Sequence, residues 1–208
     1  MSQREDIHER VLTAKTQQEL MDTYGDWAVR YDHDLVESWG YPAPALTVSW
    51  LTRYVARRDL LVLDAGCGTG LVGQILRQQG FETIDGLDYS KGMLAQARAK
   101  NVYRHLRQAD MNQSLPIADA SYDIVTCVGT FTASHVKPDA LAELVRITRA
   151  GGWLCFTVRS TTWDETRFRE HVLALERDGR VRLHEQRTEP YIEQEGASCK
   201  LVLLERPS

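Results

Sequence analysis

Cysteine is scarce in this chain and never closely spaced: Cys67, Cys127, Cys155 and Cys199 lie far apart, with no C-x-x-C anywhere. A zinc site or a disulfide framework needs such spacing or density, so neither is expected. No apolar run approaches the roughly 20 residues of a membrane span, and the start, MSQREDIHER, lacks the apolar centre of a signal peptide. A basic surplus is missing too. With 25 Lys and Arg against 29 Asp and Glu the net charge is −4, whereas proteins that grip a nucleic-acid backbone usually carry excess positive charge. No nucleic-acid or membrane partner is therefore expected, and the Arg-rich stretches 52–58 and 177–187 read as solvated faces. Repeats and low-complexity segments are also lacking. The 208 residues read as one domain in a reducing cytoplasm.

What is present centres on LLVLDAGCGTGLVG, residues 60–73. Leu60 to Leu63 is an unbroken apolar run, the pattern of a parallel strand buried on both faces. Three alternate glycines, Gly66, Gly68 and Gly70, then precede apolar residues at helical spacing. Glycines accept positive φ and let a ligand approach the backbone, and the free N–H groups of a helix start favour a polar or anionic group. A second strand, Thr83 to Ser90, carries Asp88 18 residues past Gly70. A doubly wound sheet places a carboxylate at about this distance to accept both hydroxyls of an adenosine ribose. The ligand expected is adenosine-bearing, which leaves both a nicotinamide dinucleotide and other adenosine cofactors open, because Gly68-x-Gly70-x-x-Gly73 by itself is a weak fingerprint.

Taken in order, DAGCGTG (64–70), GLDYSKGML (86–94), AD (109–110), YDIVTCV (122–128) and RAGGWLCFTVR (149–159) resemble the motifs of the class I S-adenosylmethionine-dependent methyltransferases. The stretch YDHDLVESWGYPAP (31–44) is similar, within them, to the methyltransferase-like proteins named after the Williams–Beuren chromosome region. The resemblance implies a Rossmann-like α/β sheet, doubly wound and mostly parallel with a final antiparallel strand, with helices on both faces. It also implies S-adenosyl-L-methionine as cofactor. On the matching positions, the turn Gly66-Cys67-Gly68 and Asp88 would hold the cofactor, with Tyr89 and Met93 flanking the adenine; plain core packing is the alternative for Met93. Asp110 would take the adenine amino group, with an exposed loop acid the alternative, the backbone of Met111 would meet the ring, and Val128, at the end of the fourth strand, is a further cofactor-binding candidate. The late pair of strands, Val181 to Arg187 and Cys199 to Leu204, is not expected in a nicotinamide oxidoreductase, which remains the alternative enzyme class. A non-catalytic S-adenosylmethionine-binding module is the alternative outside enzymes.

Residues 1–59 are read as an N-terminal helical region ahead of the 60–208 core. Ile7, Val11, Leu12, Leu20, Tyr24, Trp27, Ala28, Tyr31 and Leu35 keep to one helical face. Aromatic faces attract a sulfonium by about 0.5–2 kcal/mol, so Tyr24 and Tyr31 are read as a lid over the cofactor, with core packing the alternative. Val102 to Leu106 is expected as the third strand, and Thr162-Trp163-Asp164-Glu165 has the form of a capping box. The loop 129–135 should face the acceptor. It lacks the Asn/Asp-Pro-Pro-aromatic and Pro-Cys motifs of nucleic-acid methyltransferases. His135 is the candidate base, with a surface or structural histidine the alternative. Arg159 could hold an acidic group on the acceptor or make a strand-end ion pair, and Phe131, Tyr41 and Trp163 could line an aromatic pocket. The acceptor expected is a small molecule or an exposed protein side chain.

Overall fold

The structure is a computed structural model that describes residues 7, 10, 11, 13, 16–132 and 136–208. Its strands are β1 (Leu61–Ala65), β2 (Thr83–Asp88), β3 (His105–Gln108), β4 (Tyr122–Phe131), β5 (Thr148–Arg159), β6 (Arg182–Ile192) and β7 (Ala197–Glu205). They form one sheet in the order β3-β2-β1-β4-β5-β7-β6. Strands β1 to β5 pair in parallel, and β7 runs antiparallel to both of its neighbours, β5 and β6. The order reverses beside β1, and that is where an open α/β sheet leaves a crevice beyond its strand ends.

The helices are α1 (Gln17–Trp27), α2 (Ala43–Tyr54), α3 (Leu71–Gln78), α4 (Lys91–Ala99), α5 (Ala140–Ile147), α6 (Ser160–Glu165) and α7 (Phe168–Arg177), with a π-helical turn at His33–Ser38. The continuous apolar run of β1 is explained by two cores. Val62 packs on one face with Leu51 of α2 and Leu76 of α3, while Leu63 packs on the other with Leu144 of α5 and Phe168 of α7. Burying each such side chain stabilises the fold by about 1.5–3 kcal/mol. All four cysteines are free and buried, and among the described residues no helix is long and apolar enough to cross a membrane.

Two local expectations are corrected. The third strand starts at His105, and Tyr103 ahead of it turns into the core, its hydroxyl donating to Asp64 at 2.7 Å. The capping box does not form: Thr162 lies inside α6, where its carbonyl accepts from Thr166, and α7 starts after Arg167 in a left-handed conformation. Pro42 and Pro44 begin α2, since the first turn of a helix needs no N–H from them.

Candidate functional site

Beyond the ends of β1, β2 and β4 lies a cleft of about 730 Å³, the open solvent at its mouth included. Its floor is the turn from β1 into α3. Gly66, Gly68 and Gly70 all have positive φ, of 75°, 53° and 95°. Gly66 is forced by crowding, because a Cβ there would stand 2.2 Å from the Thr130 hydroxyl oxygen. Gly68 differs. A Cβ there would meet nothing within 4 Å, so its missing side chain opens onto space in the cleft it lines.

Asp88, the last residue of β2, is tied to this turn. One carboxylate oxygen accepts the Gly68 N–H at 2.9 Å and the other the Ser90 N–H at 2.8 Å. A carboxylate has about four acceptor positions, so both oxygens can accept further donors from a ligand. Burial pushes its pKa up, opposed by the backbone N–H groups of Ser90, Gly68 and Tyr89. Ser90 caps α4 as its sequence position suggests, accepting from the Met93 N–H at 3.3 Å. Behind the turn, Asp64 is fully buried and accepts hydroxyls from Tyr103 at 2.7 Å and Thr126 at 3.2 Å. Desolvation there outweighs those hydrogen bonds and pushes its pKa up to about 6.

Ten of the residues read from the sequence line this one cleft: Tyr24, Tyr31, Gly66, Gly68, Asp88, Tyr89, Met93, Asp110, Met111 and Val128. Tyr89 is 37% exposed at the mouth, while Met93, Met111 and Val128 are nearly buried in the wall. Cys67 is not brought to the cleft as a side chain. Its thiol packs with Leu94 and Ala97 of α4, and its N–H is spent on the Leu87 carbonyl at 2.9 Å. His135 lies outside the described residues. The aromatic pocket is not assembled either: Phe131 and Trp163 are core, stacked around Phe168 at 5.0 and 5.5 Å. Arg159 makes the strand-end ion pair, with Glu195 at 2.9 Å.

The opposite wall comes from the N-terminal segment. Tyr24, Trp27 and Tyr31 pack ring against ring at 4.6–6.2 Å. Tyr24 and Tyr31 line the cleft and also pack against the buried cluster of Ile7, Val11, Trp27 and Leu35. Desolvation holds both phenol pKa values well above the usual range, helped by the nearby Asp88 charge. They therefore stay neutral near physiological pH. Sequence reasoning missed Met21, Asn112 and Val136 on the lining, none of which stands in a motif, while Gly129 and Thr130 of the expected acceptor loop do line it.

Residues 63–156 match a family model described as "Methyltransferase domain". The chain belongs to the methyltransferase domain family. Human Methyltransferase-like protein 27 is 39% identical over 142 residues, which is 67% of this chain and 57% of that protein. Malonyl-[acyl-carrier protein] O-methyltransferase of Enterobacter lignolyticus is 40% identical over 107 residues, 51% of this chain and 42% of the relative. The chain thus spans about half the length of these curated relatives. Among solved structures, the [4+2]-cyclase SpnF superposes with a TM-score of 0.70 at 16% identity, covering 93% of this chain and 98% of that one. The class I methyltransferase resemblance read from the motifs is met, in family and in sheet order.

The geometry of the cleft suits an adenosyl sulfonium. The empty space over Gly68, the adjacent carboxylate of Asp88, and a wall of neutral phenol rings suit a ribose and a soft cation. The residues fit. Among the described residues no group of three or more His, Cys, Asp or Glu is placed to hold a metal.

Proposed function

We propose that this chain is an S-adenosylmethionine-dependent methyltransferase acting on a small molecule or an exposed protein side chain. The observation that carries the reading is the junction of Gly68 and Asp88, where a carboxylate and an open glycine face meet at the floor of the cleft. Asp88 accepts the ribose hydroxyls, Asp110 takes the adenine amino group, and the Met111 N–H meets the ring. Tyr89 and Met93 flank the adenine, Gly66 and Gly68 admit the backbone-facing side of the ligand, and Tyr24 and Tyr31 cover it and exclude water. When bound, S-adenosylmethionine supplies a methyl group already activated on a sulfonium.

With such a donor, alignment alone can supply up to about 7–11 kcal/mol of the acceleration. The neutral phenols of Tyr24 and Tyr31 act by covering and orienting, not as bases. Where the acceptor must lose a proton, His135 is the base we propose. The negative net charge favours a small acceptor group over a duplex.

A fold shared with a [4+2]-cyclase leaves the reaction to be decided by the site. Thermal shift tests the cofactor. S-adenosylhomocysteine at 100 times its dissociation constant should add about 2.7 kcal/mol, or about 5–11 °C at this size. Stabilisation by NADH and none by S-adenosylhomocysteine would sink the reading in favour of an oxidoreductase. Labelled S-adenosylmethionine incubated with fractionated extract then reports the acceptor: label should enter a metabolite or protein fraction, and His135→Ala should slow that transfer. Tight binding with no transfer to any fraction would make the chain a silent binding module.

A further inference from the structure

Asp32 directly follows Tyr31, and its carboxylate joins three elements that frame the cleft. Oδ1 accepts the hydroxyl of Thr69, which stands between Gly68 and Gly70 in the turn. Oδ2 accepts the Lys100 ammonium at 2.5 Å, where α4 ends. The site is sheltered: Thr69 is buried, the Lys100 side chain is 15% exposed and that of Asp32 36%. A pair so placed is screened by salt less than a surface pair. The Lys100 stem also lies against the turn, because a Cβ on Gly70 would stand 3.4 Å from its Cδ.

The consequence is mechanical. Thr69 cannot shift without moving Gly68, whose N–H holds Asp88. It also cannot shift without pulling on Asp32, and so on the adjacent Tyr31 in the opposite wall. Lys100 offsets the Asp32 charge near a cleft that already holds Asp88, where a bare second carboxylate would be repelled.

We propose that Asp32 is a positioning residue: by gripping Thr69 and Lys100 together it sets Tyr31 over the glycine turn and couples the N-terminal wall to occupancy of that turn. The proposal rests on the cofactor reading above and adds a residue that acts through Tyr31 and Gly68 without touching the ligand.

The test uses the full chain with Asp32→Asn, Thr69→Val, Thr69→Ser and Lys100→Met. Calorimetry with S-adenosylhomocysteine gives affinity, and limited proteolysis within residues 16–40, with and without that ligand, gives the coupling. Asp32→Asn and Thr69→Val should each weaken binding about tenfold, the scale of one charge-assisted hydrogen bond, and should abolish ligand-induced protection. Lys100→Met should act in the same direction. Thr69→Ser keeps the hydroxyl and should behave like the wild type. The double variant Asp32→Asn/Thr69→Val should be no worse than either single one, since both remove the same contact. Ligand-induced protection that survives in Asp32→Asn overturns the proposal, as does a loss of stability in the ligand-free protein with the coupling unchanged. A wild type that does not bind S-adenosylhomocysteine at all removes the cofactor reading and this proposal with it, a result distinct from a binding wild type with unaffected variants.

Discussion

The glycine turn after β1 and the N-terminal segment facing it line the same cleft, yet they are held by different kinds of contact. The turn is fixed by its own neighbourhood in the sheet. Gly66 N–H reaches the Leu87 carbonyl at 2.8 Å, Gly68 N–H reaches Asp88, and Thr130 fills the space beside Gly66. The segment rests on stacked rings, on the close approach of Gly25 to Gly92, and on the carboxylate of Asp32. Backbone bonds between paired strands open only with the sheet. A wall held by rings and a few side-chain bonds opens at lower cost, which is what an element that admits a ligand requires.

The largest effect should come from the crowded side of the turn. In Gly66→Ala the new Cβ would meet Thr130 Oγ1, Cγ2 and Cβ at 2.2, 2.8 and 3.0 Å, so no rotation of that β-branched side chain relieves the clash. Overpacking and a left-handed φ together should cost about 2–4 kcal/mol, read by denaturant unfolding. Gly68→Ala should cost only the φ strain, about 1–2 kcal/mol, while blocking the ligand. Equal losses of stability at the two glycines would break the distinction between a crowded and an open face.

Asp88→Ala should weaken S-adenosylhomocysteine by about tenfold to a hundredfold, the loss of charged hydrogen bonds worth about 1.5–3 kcal/mol. It should also cost some stability, because the Gly68 and Ser90 N–H groups lose their acceptor. Calorimetry on the folded variant measures the first effect; unchanged affinity would mean that the ribose carboxylate is elsewhere.

Asp64 sharpens the comparison through pH. Its folded pKa, pushed up to about 6, lies above the unfolded value of about 3.9. The native state therefore binds this proton more tightly. The associated stability is fully present below the unfolded pKa and is lost as pH rises through 6. Lowering the pH from 7 to 5 should stabilise the wild type over Asp64→Asn by about 1 kcal/mol, seen as a difference in the pH dependence of the two unfolding midpoints. Parallel profiles would show that the turn is not seated on a titrating carboxyl.

The smallest expected change in stability is at the other wall. A Cβ on Gly92 would approach the Gly25 Cα to 2.9 Å, so Gly92→Ala should push α1 off α4. The fold should lose about 1 kcal/mol or less, but residues 16–40 should become more protease-sensitive even with S-adenosylhomocysteine bound. Undiminished protection would make the segment ordinary core.

Much of the site was legible because its residues are close together in sequence or stand at strand ends. A parallel strand buried on both faces must be apolar throughout, and a strand that turns straight into a helix beside a ligand must be glycine-rich. Asp88 follows because the next parallel strand ends beside that turn. What failed was judged on local pattern where packing decides. Phe131 follows the glycine of the acceptor loop but continues β4 into the core, and Thr162 has the form of a cap but lies within a helix.

By itself, then, the sequence determined the order of strands and helices, the glycine turn and the carboxylate beside it, since each depends on residue type within a short stretch. Only the tertiary structure decided which aromatics face the cleft and which fill the core, and what holds the two walls together. Asp32 shows why. Its partners, Thr69 and Lys100, are 37 and 68 residues away, and nothing in the chemistry of an aspartate after a tyrosine specifies them until the sheet has brought the glycine turn and the end of α4 to the same place.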